Sequence, residues 1–275
     1  MRFAVAVVTP PGWVHSECFR EVAQTVDHAL RALGHDSVQT DRLDLDDRRT
    51  IVLQPMLIPW LNLQPPKDPI LYNLEIVFDE SPWMTPRLLD LFRHYPTWDY
   101  SEANIERLAA WRIPRPTHVP IGYVPELTRI APGPEDIDVL FYGALSERRR
   151  KILDQLHARG LNVKWLFGVY GASRDAWIAR SKVVINIHQF DAQVFEIVRV
   201  SYLLANRRAV LSERGADSAD ERSLASGIAF ADYDELVESC IQLCRDEPAR
   251  HDLGERGFRA FSARSETQIL RCALT

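Results

Sequence analysis

The sequence predicts an α/β chain made of two Rossmann-like domains facing one another across a cleft. Three observations carry that prediction. Apolar strand-like runs and amphipathic helix-like runs alternate along the chain, the pattern of parallel sheets covered by helices. The same order of elements occurs twice. Between the two copies lies "GYVPELTRIAPGPED", residues 122–136, with three prolines and two glycines, a composition suited to an exposed connector. The expected division is therefore 1–121, a linker at 122–136, and 137–275, with the last helix packing back on the first domain.

In the first half, "RFAVAVV" is a buried first strand. "TPPGWVHS" is a loop, and Ser16 is the expected N-cap of a helix that runs to about Leu33 and is ended by Gly34. Strands follow near Thr50 to Leu53, Ile70 to Asn73 and Thr97 to Tyr100. A helix from Ser101 to about Trp111 comes next, and "THVPIG" is a short strand leaving this half.

The second half opens with "IDVLFYG", a buried strand ending in glycine. A helix from Leu145 to Ala158, the strand "NVKWLF", a helix near Arg174 to Arg180 and the strand "KVVINI" follow. The segment Asn186 to Glu213 then reads as a buried helix running into the strand "RAVLS". Glu196 and Arg199 fall in the middle of that apolar helix, where an unpaired ion costs several kcal/mol, roughly, in desolvation. The clearest helix is "DYDELVESCIQLCRDEP": Asp232 and Glu235 form a capping-box-like start, and Leu236, Val237, Cys240, Ile241, Leu243 and Cys244 make one apolar stripe.

Composition narrows the function classes. The 275 residues are 46% hydrophobic and 26% charged, enough for a sizeable core, and the formal charge of -5 supplies no basic field for nucleic acid. Arg148, Arg149 and Arg150 form a single basic run of the kind that usually marks a solvated helix face. The four cysteines show neither CxxC nor zinc spacing, which suits free thiols and a cytoplasmic setting. No apolar run is long enough to span a bilayer, and the opening residues do not read as a signal peptide. Peripheral membrane contact and oligomeric state stay open.

Three stretches carry a resemblance to a known family. They are "WDYSEANIERLAAWRIPRPTHVPIGYVPEL", "DVLFYGALSERRRKILDQL" and "LLANRRAVLSERG…GIAFADYDELVESCIQLCRDEPARHDLGERG". In order and residue type the chain resembles a GT-B glycosyltransferase, whose donor domain is of the glycosyl transferase group 1 type. The third stretch is the most specific, because residue types and spacings agree over several elements. The resemblance implies a hexosyltransferase-like enzyme. It would move a sugar from a nucleotide-sugar co-substrate to an acceptor in the cleft, without a further cofactor. No Asp-x-Asp pair of the kind that holds a metal diphosphate is found, so metal independence is expected.

The resemblance also nominates residues. Gly143 would let the backbone approach the donor phosphates, and Arg148 or Arg149 stands where such enzymes keep a phosphate-binding cation. Tyr170 and Gly171, in "GVYGASRD", are candidates for base or ribose contacts. His188, Glu196 and Arg199 complete the donor set. In the first half, the loop after the first strand carries Gly12, Trp13 and His15, and an imidazole there is the candidate catalytic base. Asn73, Glu75, Asp99 and Tyr100 lie at strand ends that would face an acceptor, and Trp13, Trp83 and Trp98 are candidate stacking surfaces for a sugar ring.

One departure is plain. Many retaining GT-B enzymes carry two glutamates with seven residues between them, and their positions fall here on Gln193 and Ser201. Glu196 lies between them with His188 eight residues before it. Glu196 with Arg199 is either a grip on ribose and diphosphate or an i,i+3 ion pair. The alternative functions are a non-catalytic GT-B-like nucleotide- or partner-binding protein, and a nucleotide-sugar epimerase or hydrolase of the same fold.

Overall fold

A computed structural model describes residues 1–190, 194–215 and 219–275. The chain divides into two compact units, Met1–Glu126 with Ser265–Thr275, and Leu127–Arg264. Among the described residues no helix is long and apolar enough to cross a membrane.

Unit 1 runs β1 (Arg2–Ala6), α1 (Arg20–Ala32), β2 (Asp36–Thr40), β3 (Arg49–Val52), α2 (Leu57–Trp60), β4 (Pro69–Asn73), α3 (Pro86–His94), β5 (Thr97–Asp99), α4 (Glu102–Ala110) and β6 (Thr117–His118). Its six strands are parallel, in the order β2-β1-β3-β4-β5-β6. Helices cover both faces of such a sheet, so its inner strands are continuously apolar rather than alternating. Phe3, Ala4, Val5 and Ala6 of β1 are accordingly all enclosed. β2, "DSVQT", carries no apolar run and was not foreseen. It is an edge strand held by one neighbour, with Asp36 tied to Arg2 and Arg48.

Two local expectations about unit 1 helices resolve differently. Ser101 caps α4 as its position suggests, accepting from the Asn104 amide. Ser16 does not start a helix. It lies inside a 3-10 turn, Val14–Phe19, and donates its hydroxyl to the Val8 carbonyl at 2.6 Å while accepting from Gln54 Nε2 at 3.1 Å. The hydroxyl is thus spent on closing the β1 loop, and α1 begins only at Arg20.

Unit 2 contains β7 (Ile137–Tyr142), α5 (Glu147–Ala158), β8 (Val163–Leu166), α6 (Gly171–Ala179), β9 (Ser181–Asn186), α7 (Ile197–Ala205), β10 (Val210–Glu213), α8 (Ala219–Leu224), β11 (Ala229–Ala231), α9 (Leu236–Arg245) and α10 (Glu247–Ser262). Its sheet is parallel, in the order β11-β10-β9-β7-β8. One face packs on α5 and α9 through Ile152, Leu156, Leu236, Cys240 and Ile241. The final helix, α11 (Glu266–Ala273), belongs to unit 1. It packs on α1, and its buried Glu266 carboxylate accepts from the Gly122 amide at 2.6 Å.

Three details of unit 2 refine the sequence reading. The Asp232–Glu235 capping box does not form. A 3-10 turn occupies Tyr233–Glu235, and Asp232 pairs instead with Arg214 at 3.1 Å. The glycines of "DLGERG" are explained by close packing: a β-carbon on Gly254 would stand 2.4 Å from the Arg207 carbonyl, and one on Gly257 would stand 2.7 Å from the Gly227 carbonyl. Glu196 is not mid-helix but occupies the N-cap position of α7.

At the other end of α7, buried Asn206 fastens the extended segment by which the chain enters unit 2. Its Oδ1 accepts from the Arg129 and Ile130 amides at 2.7 and 2.8 Å, and its Nδ2 donates to Leu127 O and Tyr202 O, both at 2.8 Å. Asn206→Ala removes one hydrogen-bond partner from two amides and two carbonyls at once. The expected cost is about 2–4 kcal/mol, read as a Tm lower by roughly 5–15 °C in thermal denaturation.

Candidate functional site

In an open parallel sheet, ligands bind beyond the carboxyl ends of the strands where the strand order reverses. In unit 2 that point lies between β7 and β9. β7 delivers Gly143 there, β9 delivers Asn186 and His188, β10 ends on Glu213, and α7 begins with Glu196 and Arg199. The sequence nominated Gly143, Arg148, Arg149, His188, Glu196 and Arg199, and the fold gathers them at this edge.

The three arginines differ in what they hold. Arg149 is only 2% exposed, and its donors are spent on Ile187 O at 2.8 Å, Ala144 O at 2.9 Å, Gln189 Oε1 at 2.8 Å and Glu196 Oε1 at 3.3 Å. Burial, with the Arg199 charge next in size, lowers it to about 9, so it stays protonated at neutral pH. Arg148 grips Glu213 with both terminal nitrogens at 2.6 and 2.7 Å, donates to His188 O at 2.8 Å and lies over the Tyr233 ring. Arg148, Gln189 and Tyr233 also line a cavity of about 890 Å³ along α5 with Arg150 and Lys151. The basic run is therefore not a uniform solvated face.

Arg199 is the least committed of the three. One terminal nitrogen donates to Asn186 Oδ1 at 2.8 Å, and the other stands 2.9 Å from where a Gly143 β-carbon would be. Gly143 itself has φ +137°, a backbone that side chains resist. The glycine thus serves two needs: the turn off β7, and room for a guanidinium directly over the main chain. Trp165 Nε1 fixes the same turn by donating to Gly143 O at 2.9 Å.

Glu196 and Arg199 do not form the i,i+3 pair. Glu196 Oε2 lies 2.9 Å from His188 Nδ1 and accepts from Asn186 Nδ2 at 2.9 Å, while Oε1 takes Arg149. The His188 contact is close enough for an ion pair but bent away from hydrogen-bonding alignment, and its enclosed Nε2 has no partner among the described residues. Burial opposes ionisation of both groups. For Glu196 it is outweighed by His188, Arg199 and Arg149, which hold the carboxylate below its ordinary range. For His188 it is outweighed by the Glu196, Glu213 and Glu221 carboxylates, which raise the imidazole.

Elsewhere in unit 2, Tyr170 occupies the N-cap position of α6, and Gly171 follows it with φ +55°. Of the paired-glutamate positions, Ser201 is buried in α7 and Gln193 lies outside the described residues. Asn186, Gln189, Glu213 and Trp165 were not nominated. The available signal was a polar residue closing an apolar run, as in "VVIN" and "AVLSE", where a strand reaches its carboxyl end.

In unit 1, Gly12 makes a left-handed turn with φ +77°, and His15 packs edge-on against Trp13 at 5.1 Å. Asp99 is fully buried and accepts from Asn73 Nδ2 at 2.6 Å, the Ser101 amide at 2.8 Å and Asn104 Nδ2 at 3.0 Å. Asn73 also donates to Glu75 O, so this group locks the end of β4 to β5. Burial pushes both Asp99 and Glu75 up to about 7. Tyr100 is buried, and its carbonyl lies 3.2 Å from His118 Nε2. Trp98 offers no stacking face, being 3% exposed and packed on Tyr72.

This architecture, two parallel sheets each with its own strand-order reversal, is the GT-B fold. Solved structures with it align over nearly the whole chain. HepE of Anabaena, in complex with UDP and glucose, gives a TM-score of 0.65 at 10% identity, covering 99% of this chain and 98% of that one. Sucrose-phosphate synthase of Thermosynechococcus elongatus gives 0.61 at 12% identity over 100% and 98%. AviGT4, a glycosyltransferase involved in avilamycin A biosynthesis, gives 0.56 at 14% identity over 100% and 96%. In sequence, the chain is similar to two uncharacterized proteins of Acanthamoeba polyphaga mimivirus. It is 31% identical to L140 over 182 residues, 61% of this chain and 58% of that one. It is 30% identical to L138 over 183 residues, 62% of this chain and 20% of that one. The matched region thus spans less than two thirds of either relative. No protein-family model matches the chain.

The opposed shifts of His188 and Glu196 set a pH dependence. Glu196 is depressed, so its contribution is present above its unfolded value of 4.5 and is lost as pH falls through the folded value. His188 is raised, so its contribution is full below 6.5 and is lost as pH rises through the folded value. The Tm advantage of the wild type over His188→Gln should be greatest between those limits and shrink above about pH 7, as thermal melts across a pH series will show.

Proposed function

We propose that the protein is a glycosyltransferase that takes a sugar from a nucleoside-diphosphate donor bound at the β7–β9 edge of unit 2. The observation that carries this is Arg199, a guanidinium with donors to spare among the described residues, placed against a side-chain-free turn at the carboxyl end of β7. A diphosphate carries its charge mid-molecule and needs that combination of cation and approachable backbone. Complexes of HepE with UDP-glucose and with UDP and glucose, in a chain of the same fold, support the choice of ligand class.

On this reading the arginines divide their labour. Arg199 meets the phosphates, while Arg148 and Arg149 hold Glu213, Glu196 and the two loops in place around it. Glu196 and Asn186 present polar atoms beside Arg199 for the ribose or the sugar. The half-exposed Trp165 and Phe167, stacked at 6.4 Å on the strand next to Gly143, offer a planar surface to the base. When the glycosidic C–O bond breaks, negative charge builds on the departing diphosphate, and a fixed guanidinium there lowers the barrier without a metal. His15 is the proposed base for the acceptor hydroxyl in unit 1, with Gly12, Trp13 and the carboxyl-bearing ends of β4 and β5 beside the acceptor.

Two measurements test the donor assignment. In a thermal-shift screen, at least one of the UDP-, GDP- and dTDP-sugars should raise Tm, by the equivalent of about 2.7 kcal/mol at a hundredfold excess over Kd. No shift with any of them, nor with the free nucleotides, would sink the reading. Arg199→Ala should weaken the donor roughly 10- to 100-fold in calorimetry while the unliganded protein melts close to wild type. Gly143→Ala should act in the same direction by displacing the Arg199 side chain. An Arg199→Ala variant that binds donor as wild type would remove the guanidinium from the site.

A further inference from the structure

Three tryptophans from three separate connections meet beyond the carboxyl ends of the unit 1 strands. Trp13 follows β1, Trp60 ends α2 just beyond β3, and Trp83 lies between β4 and α3. Trp13 and Trp60 meet edge to face with centroids 5.4 Å apart, Trp60 and Trp83 do so at 6.2 Å, and His15 extends the row from Trp13. Trp60 leaves 53% of its surface open, with Val14 at 50% and Leu63 at 38%. Trp13, Trp83 and His15 are half-buried. Indoles needed only for folding are enclosed, as Trp98 is. A contiguous aromatic strip left in water at a strand-order reversal marks a binding surface.

Polar chemistry adjoins the strip. The chain that carries Trp60 runs on through Leu63, Gln64 and Lys67, which line a cavity of about 440 Å³ together with Asp41, Asp44 and Asp46. Asp44 is held in place by Arg42 through two hydrogen bonds of 2.8 and 2.9 Å. Carboxylates accept, the ammonium donates and the amide does both, which is the inventory that pairs with vicinal hydroxyls.

We propose that this rim is a saccharide-binding subsite, and, resting on the glycosyltransferase reading, that its occupant is the glycosyl acceptor. The open face of Trp60 takes the C–H face of a pyranose ring, and the cavity beside it takes hydroxyls of a neighbouring ring. Three carboxylates against Lys67 and the Arg42 that holds Asp44 leave the rim net acidic, which selects a neutral or amino-bearing oligosaccharide over an anionic one. The same imbalance repels an anionic lipid surface, the other partner an exposed tryptophan row could suit. His15, at the end of the row, then stands beside a bound sugar hydroxyl.

The test is calorimetry on the full chain with cellotetraose, maltotetraose and chitotetraose, and separately with UDP-glucose. At least one tetrasaccharide should bind, Trp60→Ala should weaken it at least about tenfold, and Trp60→Phe should restore most of the loss. UDP-glucose binding should be the same in all three proteins. The proposal is overturned if none of the tetrasaccharides binds, or if Trp60→Ala binds them as wild type does. It is equally overturned if Trp60 is required instead for binding vesicles of phosphatidylcholine and phosphatidylglycerol. Trp60-dependent saccharide binding in a protein that ignores every nucleotide sugar would leave this subsite standing and remove the donor assignment.

Discussion

A carboxylate at the head of a buried helix must have cations within reach, and Glu196 has two. Arg149 meets one oxygen at 3.3 Å and His188 lies 2.9 Å from the other. Arg149 in turn bonds the carbonyls of Ala144 and Ile187, so one guanidinium ties the loop after β7, the loop after β9 and the start of α7. Losing one member of a buried pair costs about 3–5 kcal/mol, because the survivor keeps its desolvation penalty. The loops after β7 and β9 and the start of α7 are therefore held to one another by this knot. A second pair, Arg148 with Glu213, repeats the device one strand further along.

Such a framework explains how a third arginine can remain available. Asn186 accepts from Arg199 and donates to Glu196 and Ser212, so the charged knot also orients the freer guanidinium. Gly143 makes room by lacking a side chain. Three arginines brought together by the fold therefore make different contacts: Arg149 is enclosed and Arg148 is bound to Glu213, while Arg199 is half-buried over the Gly143 turn.

The architecture was largely legible because its signals are local and repeated. Continuous apolar runs such as "RFAVAVV" and "IDVLFYG" can only be strands with both faces covered. Gly34 marks the left-handed turn after α1, with φ +82°, and the "DLGERG" glycines mark close packing that a β-carbon would block. Most strands foreseen fall where they were expected, and β2 was missed because an edge strand need not be apolar. Caps were less legible. Ser16 and Asp232 have the right chemistry to begin helices, yet Val8 and Arg214, remote in sequence, offered them better partners. The donor-side nominations come together for a topological reason, since the reversal between β7 and β9 collects the residues that follow those strands. Glu213 and Asn186 escaped notice because a polar residue at a strand end looks like an ordinary boundary.

By itself, the sequence determined that this chain forms two α/β units with parallel sheets, and it nominated residues at particular strand ends that the fold brings together. Hydrophobic periodicity and glycine placement are properties of short segments, so no long-range information was needed. Tertiary structure alone decided the partners. It sent Glu196 to His188 and Arg149 rather than to Arg199 one turn away. It enclosed Trp98 while leaving Trp60 open, and it joined Trp13, Trp60 and Trp83 into one row. Pairings of that kind depend on which groups burial deprives of water together, and burial is set only when distant strands have taken their order in the sheet.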